Sequence, residues 1–284
     1  MILIADSGAT KCDWILIDQN GGKKNFQTVG LNPYYVGPNE MEKILSKELV
    51  PFIENKKVKK VFYYSAGCST VYKCMMVEDA LVRIFKNAEL NTYSDMFGAA
   101  RALLGDSKGI ACILGTGSNS CLFDGKEIVE NQPSLGYFFG DEGSGAHMGK
   151  LFIKDYLLKK LPAKIDKAFR KEHNYTHDNI LDAIYNMPFP NRFLASFSVF
   201  YSHHLSDKYI YDLVINSFRE FFMNQVEQYT DYKTLPLSFT GSVAFYFKDI
   251  LMEVAREHDL KIQKILRTPI DALAEYHAED ESRG

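Results

Sequence analysis

The sequence predicts an α/β protein of two related domains. Three observations point there. Its 284 residues exceed what one core usually holds, and 46% of them are hydrophobic, enough to fill two. A strand–turn–strand opening, LIADSGATKCDWILID from residue 3, returns about 109 residues later as GIACILGTGSNSCLFDG. After each opening, helical and strand periodicities alternate, the pattern of a sheet whose later strands run parallel.

Taken in order, apolar runs predict strands at 2–5, 12–17 and 24–29, the first two joined by a turn of small residues. Helical spacing covers 39–54, 71–87 and 96–104, with strands at 60–64 and 90–93 between them. The pattern restarts at residue 109 with a strand, a Gly-rich turn at Gly115 to Asn119, a second strand, and a third beyond the Asp124-Gly125 turn. Helices follow at 144–161, 163–173, 177–187, 190–204 and 207–229, punctuated by Pro162, Pro188 and Pro190. They form an insertion that breaks the symmetry. Strand 235–239, helix 243–257, strand 260–265 and a helix from about 270 complete the second copy. Domains are therefore expected at 1–107 and 108–269, the second carrying its helical insertion at about 144–230.

Charge and composition narrow the partners. A formal net charge of −3 provides no clustered positive field for nucleic acid, and the run ENKKVKK (Glu54 to Lys60) reads as the solvated end of a helix. No apolar stretch approaches the ~18 residues of a membrane span, and MILIADS is too short and too soon acidic for a secretory signal. A cytoplasmic protein is expected, without membrane or nucleic-acid partner. Cys12, Cys68, Cys74, Cys112 and Cys121 form no CxxC pair, and their odd number argues for reduced, mostly buried thiols. His203 and His204 are adjacent on a helix and point apart, unlike zinc-binding pairs.

The turns carry the chemistry. In DSGATK, consecutive backbone N–H groups around Gly8 and the Thr10 hydroxyl can cradle phosphate, while Asp6 would repel it unless a divalent cation lay between. An ordinary hairpin with an Asx turn is the alternative. LGTGSNS offers a second cradle through Gly115, Thr116, Gly117 and Ser118, with Gly117 expected to keep space beside the turn clear for phosphate. In LSFTGSVAFYFKDIL, Gly241, Ser242 and Ala244 link strand to helix, open either to a ligand or to close strand–helix packing. TYSDMFGAA places Asp95 between strand and helix, where it can take the proton of an attacking hydroxyl or cap a helix starting at Met96. YYSAGC supplies Ser65 and Gly67 as a loop beside a cleft, and VGLNPYY supplies Asn32, equally a turn former before Pro33. GSGAHMGK imitates a Walker A loop, but its first glycine is misplaced and Leu151 follows Lys150. It reads as a turn opening a helix, with His147 in packing or capping.

The trio DSGATK, GTGSN and TGSVA, in this order over essentially the whole chain, resembles the two phosphate motifs and the adenosine motif of the actin, sugar-kinase and heat-shock chaperone superfamily. LGYFFGDEGSGAHMGK is similar to the Gly-Asp-Glu-Gly-Ser signature of the family that groups N-acetylglucosamine kinases with ATPase activators of benzoyl-CoA reductase. The resemblance implies two actin-like (ribonuclease H-like) domains with a nucleotide cleft between them, and a last helix (about 270–284) returning to the first domain. It implies ATP and Mg2+, with Asp6 positioning the metal. Gly8, Thr10, Lys11, Gly115, Thr116, Gly117 and Ser118 would hold phosphates, and Gly241, Ser242 and Ala244 the adenosine. Asp95 would be the base, and Asn32, Ser65, Gly67, Asp95, Gly136 and Asp141 would hold the sugar.

Two positions depart from the family. Leu135 stands where a typical N-acetylglucosamine kinase has Trp, which leaves the acetyl pocket and the choice of sugar open, and Ser242 replaces a commoner glycine. The activity implied is phosphorylation of an amino sugar, N-acetylglucosamine in the first place, at its 6-hydroxyl; a homodimer is an assembly open to it. The alternative is an ATPase activator coupling hydrolysis to a partner enzyme, with an iron–sulfur cluster held by cysteines of each subunit. A nucleotide-binding scaffold without catalysis is a third.

Overall fold

The computed structural model describes residues 1–8, 11–68 and 70–283, with side chains to 279. It divides into two compact units. One comprises Met1–Ser107, Gly125–Glu127 and the chain from Thr268; the other comprises Lys108–Asp124 and Ile128–Arg267.

The first unit contains β1 (Ile2–Ser7), β2 (Lys11–Ile17), β3 (Lys23–Val29), α1 (Pro38–Glu48), β4 (Lys60–Ser65), α2 (Val71–Ile84), β5 (Glu89–Ser94) and α3 (Asp95–Leu104). The sheet order is β3-β2-β1-β4-β5. The hairpins β1–β2 and β2–β3 are antiparallel, whereas β1, β4 and β5 run parallel. The register sets Ser7 opposite Ser65, and Ser65 opposite Ser94, so the parallel strands end together. That carboxyl edge is where open α/β sheets bind ligands. Trp14 anchors the core, its ring 5.9 Å from Tyr63 and its indole N–H donating to Thr28 Oγ1 at 3.1 Å. Helix α1 stops at Glu48, short of the 39–54 expected, and the chain continues as a tighter turn over Val50–Phe52. Pro51 is the reason, since it brings no N–H to an α-helical ladder.

The second unit repeats the plan with β6 (Gly109–Leu114), β7 (Ser118–Phe123), β8 (Ile128–Asn131) and a helical run: α4 (Gly136–Phe139), α5 (Gly145–Leu157), α6 (Ala163–Glu172), α7 (His177–Tyr185), α8 (Pro190–Ser196), α9 (Ser198–His203) and α10 (Lys208–Asn224). It closes with β9 (Leu237–Thr240), α11 (Ser242–Tyr246), α12 (Lys248–Glu257) and β10 (Ile262–Leu266). The order β10-β9-β6-β7-β8 mirrors the first sheet, with β6 and β7 antiparallel and β6, β9 and β10 parallel. The expected helix 190–204 is broken at Phe197, whose ring is buried 5.4 Å from Phe169 and 5.1 Å from Phe193. The expected helix 243–257 is broken at Phe247, also buried. In both places a large ring joins the core at the break, and burying it outweighs one unbroken hydrogen-bond ladder.

The last helix, α13 (Ile270–Arg283), packs on α3, β1 and β2. His277 fastens it: the imidazole stacks on Phe62 at 3.6 Å, and Nε2 pairs with Tyr64 Oη at 2.8 Å. Arg101 donates to the same Tyr64 oxygen at 2.9 Å. Burial and the neighbouring Arg101 charge lower the His277 pKa to about 3, so the ring is neutral. All five cysteines are free, four buried and Cys74 half-buried. Among the described residues no helix is long and apolar enough to cross a membrane.

Candidate active site

In the first unit, Asp6, Ser65 and Asp95 gather at the carboxyl edge of β1, β4 and β5. Asp95 opens α3, and its Oδ1 accepts from the Met96 N–H at 2.8 Å. The cap of α3 is Ser94, accepting from Phe97 N–H at 3.2 Å, so Asp95 is not needed for that task. Burial raises the Asp95 pKa. Asp6 is pushed up to about 7, first by burial, then by the negative charges of Asp95 and Asp13, against the opposing pull of Lys11. Lys11 itself pairs with Asp13 at 2.6 Å. Gly8 N–H closes the hairpin on the Lys11 carbonyl at 2.9 Å. Thr10 lies outside the described residues.

The adjoining loops are locked together. Ala66 N–H donates to the Ser7 carbonyl at 3.1 Å and Gly67 N–H to Ser65 Oγ at 3.3 Å. A Cβ on Gly67 would strike Asn32 Oδ1 and the Pro33 ring, so only glycine lets the two loops touch. Asn32 is buried, its Oδ1 accepting from Tyr34 N–H at 2.9 Å. This is the turn-forming role weighed for it, and it places a carboxamide beside Ser65 and Gly67.

In the second unit, Gly115, Thr116 and Gly117 connect β6 to β7, and Gly115 N–H donates to the Gly117 carbonyl at 2.9 Å. The first amides of α5 hold this loop: Gly145 N–H donates to the Gly115 carbonyl at 2.9 Å and Ala146 N–H to the Thr116 carbonyl at 3.1 Å. Asp141 adopts φ 60°, the left-handed region, and its Oδ1 accepts from Ser118 N–H at 3.2 Å. Burial raises its pKa, the Ser118 hydrogen bond and Lys150 work against this, and Glu142 adds to it.

A Cβ on Gly117 would stand 2.9 Å from Asp141 Oδ2 and 3.1 Å from Oδ1. The room beside Gly117, expected to serve phosphate, is thus occupied by this carboxylate. Gly117→Val is accordingly expected to push the Asp141 carboxylate off the Ser118 N–H and quicken amide hydrogen exchange at Ser118 about tenfold, in a variant that still folds by circular dichroism. Unchanged exchange would show that the turn takes the side chain without moving Asp141.

Gly136, at φ 65°, opens α4 into free space, and Leu135, Phe138 and Phe139 beside it are exposed. Gly241, at φ 119°, is confined because a Cβ would collide with the Leu114 carbonyl. Its N–H donates to the Leu266 carbonyl at 3.0 Å, so close packing of β6, β9 and β10 by itself demands this glycine. Ser242 is exposed, while the Ala244 methyl lies in the core, leaving only its backbone for a ligand.

The residues present fit a hard cation. Asp6 and Asp95 are two acidic groups near enough for one charge to perturb the other, which calls for positive charge between or beside them. Among the described residues no three metal-ligating side chains converge, so a cation at Asp6 would complete its shell with phosphate and water oxygens.

No protein-family model and no curated protein matches the chain. Among solved structures, it is similar to the crystal structure of a "Putative N-acetylglucosamine Kinase" from Porphyromonas gingivalis, with 44% identity over 99% of this chain and 100% of that one, and a TM-score of 0.94. The chain belongs to this sugar-kinase family of actin-like ATPases. Two more distant structures share the fold: a "Putative N-acetylglucosamine Kinase" from Chromobacterium violaceum and a ROK hexokinase from Thermus thermophilus. The first is 14% identical with a TM-score of 0.70, over 97% of this chain and 98% of its own. The second is 13% identical with a TM-score of 0.56, over 98% and 99%. Within this actin-like frame, several contacts had no signal in the sequence. The Ser118–Asp141 hydrogen bond, the Tyr64–Arg101–His277 cluster and the pairing of His147 with Ser217 all join residues far apart along the chain.

Proposed function

We propose that this sugar kinase transfers the γ-phosphoryl group of ATP to the 6-hydroxyl of an amino sugar, N-acetylglucosamine in the first place. The observation that carries the reading is the pairing of Asp6 with Asp95 at the carboxyl edge of the parallel strands, beside the Asn32 and Ser65–Gly67 loops. Asp95 accepts the proton of the sugar hydroxyl as its oxygen bonds to the γ-phosphorus and the bond to the bridging oxygen breaks, releasing ADP. Burial raises the Asp95 pKa above the ordinary carboxylate value, which makes the carboxylate a stronger base for this step. Asp141, with one oxygen engaged by Ser118 N–H, offers the other to sugar hydroxyls as a charge-assisted acceptor. The loop at Gly8 and the loop at Gly115 to Ser118 each offer a cradle for phosphate oxygens, and the turn at Gly241 and Ser242 offers its backbone to the adenosine. Asp6 would hold a divalent cation, which when bound would supply positive charge that screens the phosphates from the Asp6 and Asp95 carboxylates. The ATPase-activator alternative has less support, since Cys12, Cys112 and Cys121 are buried within β2, β6 and β7.

A screen of hexoses, amino sugars, N-acetyl amino sugars and muramic acid derivatives for ADP release tests the proposal. Release should require Mg2+ and rise strongly with one sugar class, because an oriented hydroxyl outcompetes water. Equal hydrolysis with and without every sugar would overturn it.

A further inference from the structure

We propose that Ser217 and His147 are positioning residues that hold the Asp141 turn in place and thereby set sugar affinity; the inference rests on Asp141 being the sugar-binding carboxylate. The turn runs Asp141-Glu142-Gly143-Ser144, closed by Ser144 N–H on the Asp141 carbonyl at 3.0 Å. Its third residue, Gly143, has φ 77°, and a Cβ there would stand 2.9 Å from Phe221 Cβ and 3.1 Å from Leu114 Cδ2. The Gly143 amide is therefore pressed against α10, where its N–H donates to Ser217 Oγ at 3.1 Å.

Ser217 is fully buried and has one proton to give. Its oxygen accepts from Gly143, so the hydroxyl points to His147 Nδ1, 2.8 Å away. His147 thus accepts at Nδ1 and carries its proton on Nε2, which faces Glu220 Oε2 at 3.4 Å. The neutral ring this needs is maintained by burial and by Lys150, which lower its pKa to about 4. His147 N–H is in turn bound by Ser144 Oγ at 3.1 Å, returning the chain of contacts to the turn itself. The Gly143 amide, the Ser217 hydroxyl and the His147 amide each have an acceptor, and these contacts return to a backbone segment whose first residue is held at positive φ. If the Ser217 contact is lost, Gly143 keeps a buried amide without a partner, and the turn shifts towards one. Asp141 then loses its register on Ser118.

The test uses the full-length enzyme with Ser217→Ala and the matched pair His147→Leu and His147→Asn, which share a shape but differ in carrying an acceptor near Nδ1. Ser217→Ala and His147→Leu should raise the sugar KM roughly tenfold, with kcat and the ATP KM within about threefold, and His147→Asn should recover most of the loss. In parallel, amide hydrogen exchange at Ser118, whose N–H reports on Asp141, should quicken about tenfold in Ser217→Ala without sugar or nucleotide present. Unchanged exchange at Ser118 in folded Ser217→Ala overturns the inference whatever the enzyme phosphorylates. Quickened exchange with an unchanged sugar KM, in an active enzyme, keeps the contact chain and overturns its link to affinity. Absence of sugar-dependent turnover in the unmodified enzyme, with the exchange result as expected, instead overturns the kinase reading. Equal losses in His147→Leu and His147→Asn would reduce His147 to packing.

Discussion

Asp95→Asn lowers kcat by roughly 10²–10⁴ and leaves the sugar KM within about threefold. The amide preserves the shape of the side chain and can still receive the sugar hydroxyl as a hydrogen-bond donor, but it cannot take the proton at neutral pH. Folding should survive, because Ser94 and not Asp95 caps α3. Asp141→Asn should behave differently, with the larger change in KM, since one charge-assisted hydrogen bond of roughly 1.5–3 kcal/mol is weakened. Steady-state kinetics on both variants separates the two carboxylates. A near-normal kcat for Asp95→Asn would move the base to Asp141. The wild-type rate should also rise with pH through a group titrating above the ordinary carboxylate range, because burial holds Asp95 protonated longer than a free aspartate.

Asp6→Asn abolishes most activity and yet raises the thermal stability of the unliganded protein at pH 8. In the folded chain the Asp6 pKa is raised from 3.8 to about 7, chiefly by burial and then by the Asp95 and Asp13 charges. A raised folded pKa means the fold favours the protonated acid. That contribution is fully present below the unfolded pKa and is lost as pH rises through about 7, above which the ionised group costs roughly 2–4 kcal/mol. The neutral amide carries no such cost. A gain of roughly 5–10 °C in Tm is expected at pH 8, shrinking at pH 5 and vanishing by about pH 4. Mg2+ with ATP should stabilise the wild type more than the variant, since the cation relieves in one what the amide has already removed from the other. A variant no more stable than wild type at pH 8 would show that Lys11, or solvent, already compensates the charge.

Sequence alone determined the α/β class, the doubled opening hairpin and membership in the sugar-kinase family of actin-like ATPases, because these rest on local signals. Hydrophobic period, Gly-rich turns such as GTGSN and the order of motifs are written in contiguous residues. What a residue touches across the fold is set by strand register and helix packing, and only the tertiary structure decided it. Gly117 reads as a phosphate turn along the chain, yet the space at its Cα belongs to Asp141, 24 residues on. Asp6 and Asp95 look like separate acids until parallel β1, β4 and β5 end at one edge, where the charge of one raises the pKa of the other. The helices 190–204 and 243–257 keep their period in sequence but break at Phe197 and Phe247, where burying a ring contributes more than one continuous ladder. His147 carries no mark of its role in GSGAHMGK; its partner Ser217 lies 70 residues away on α10, and only packing of α5 against α10 joins them.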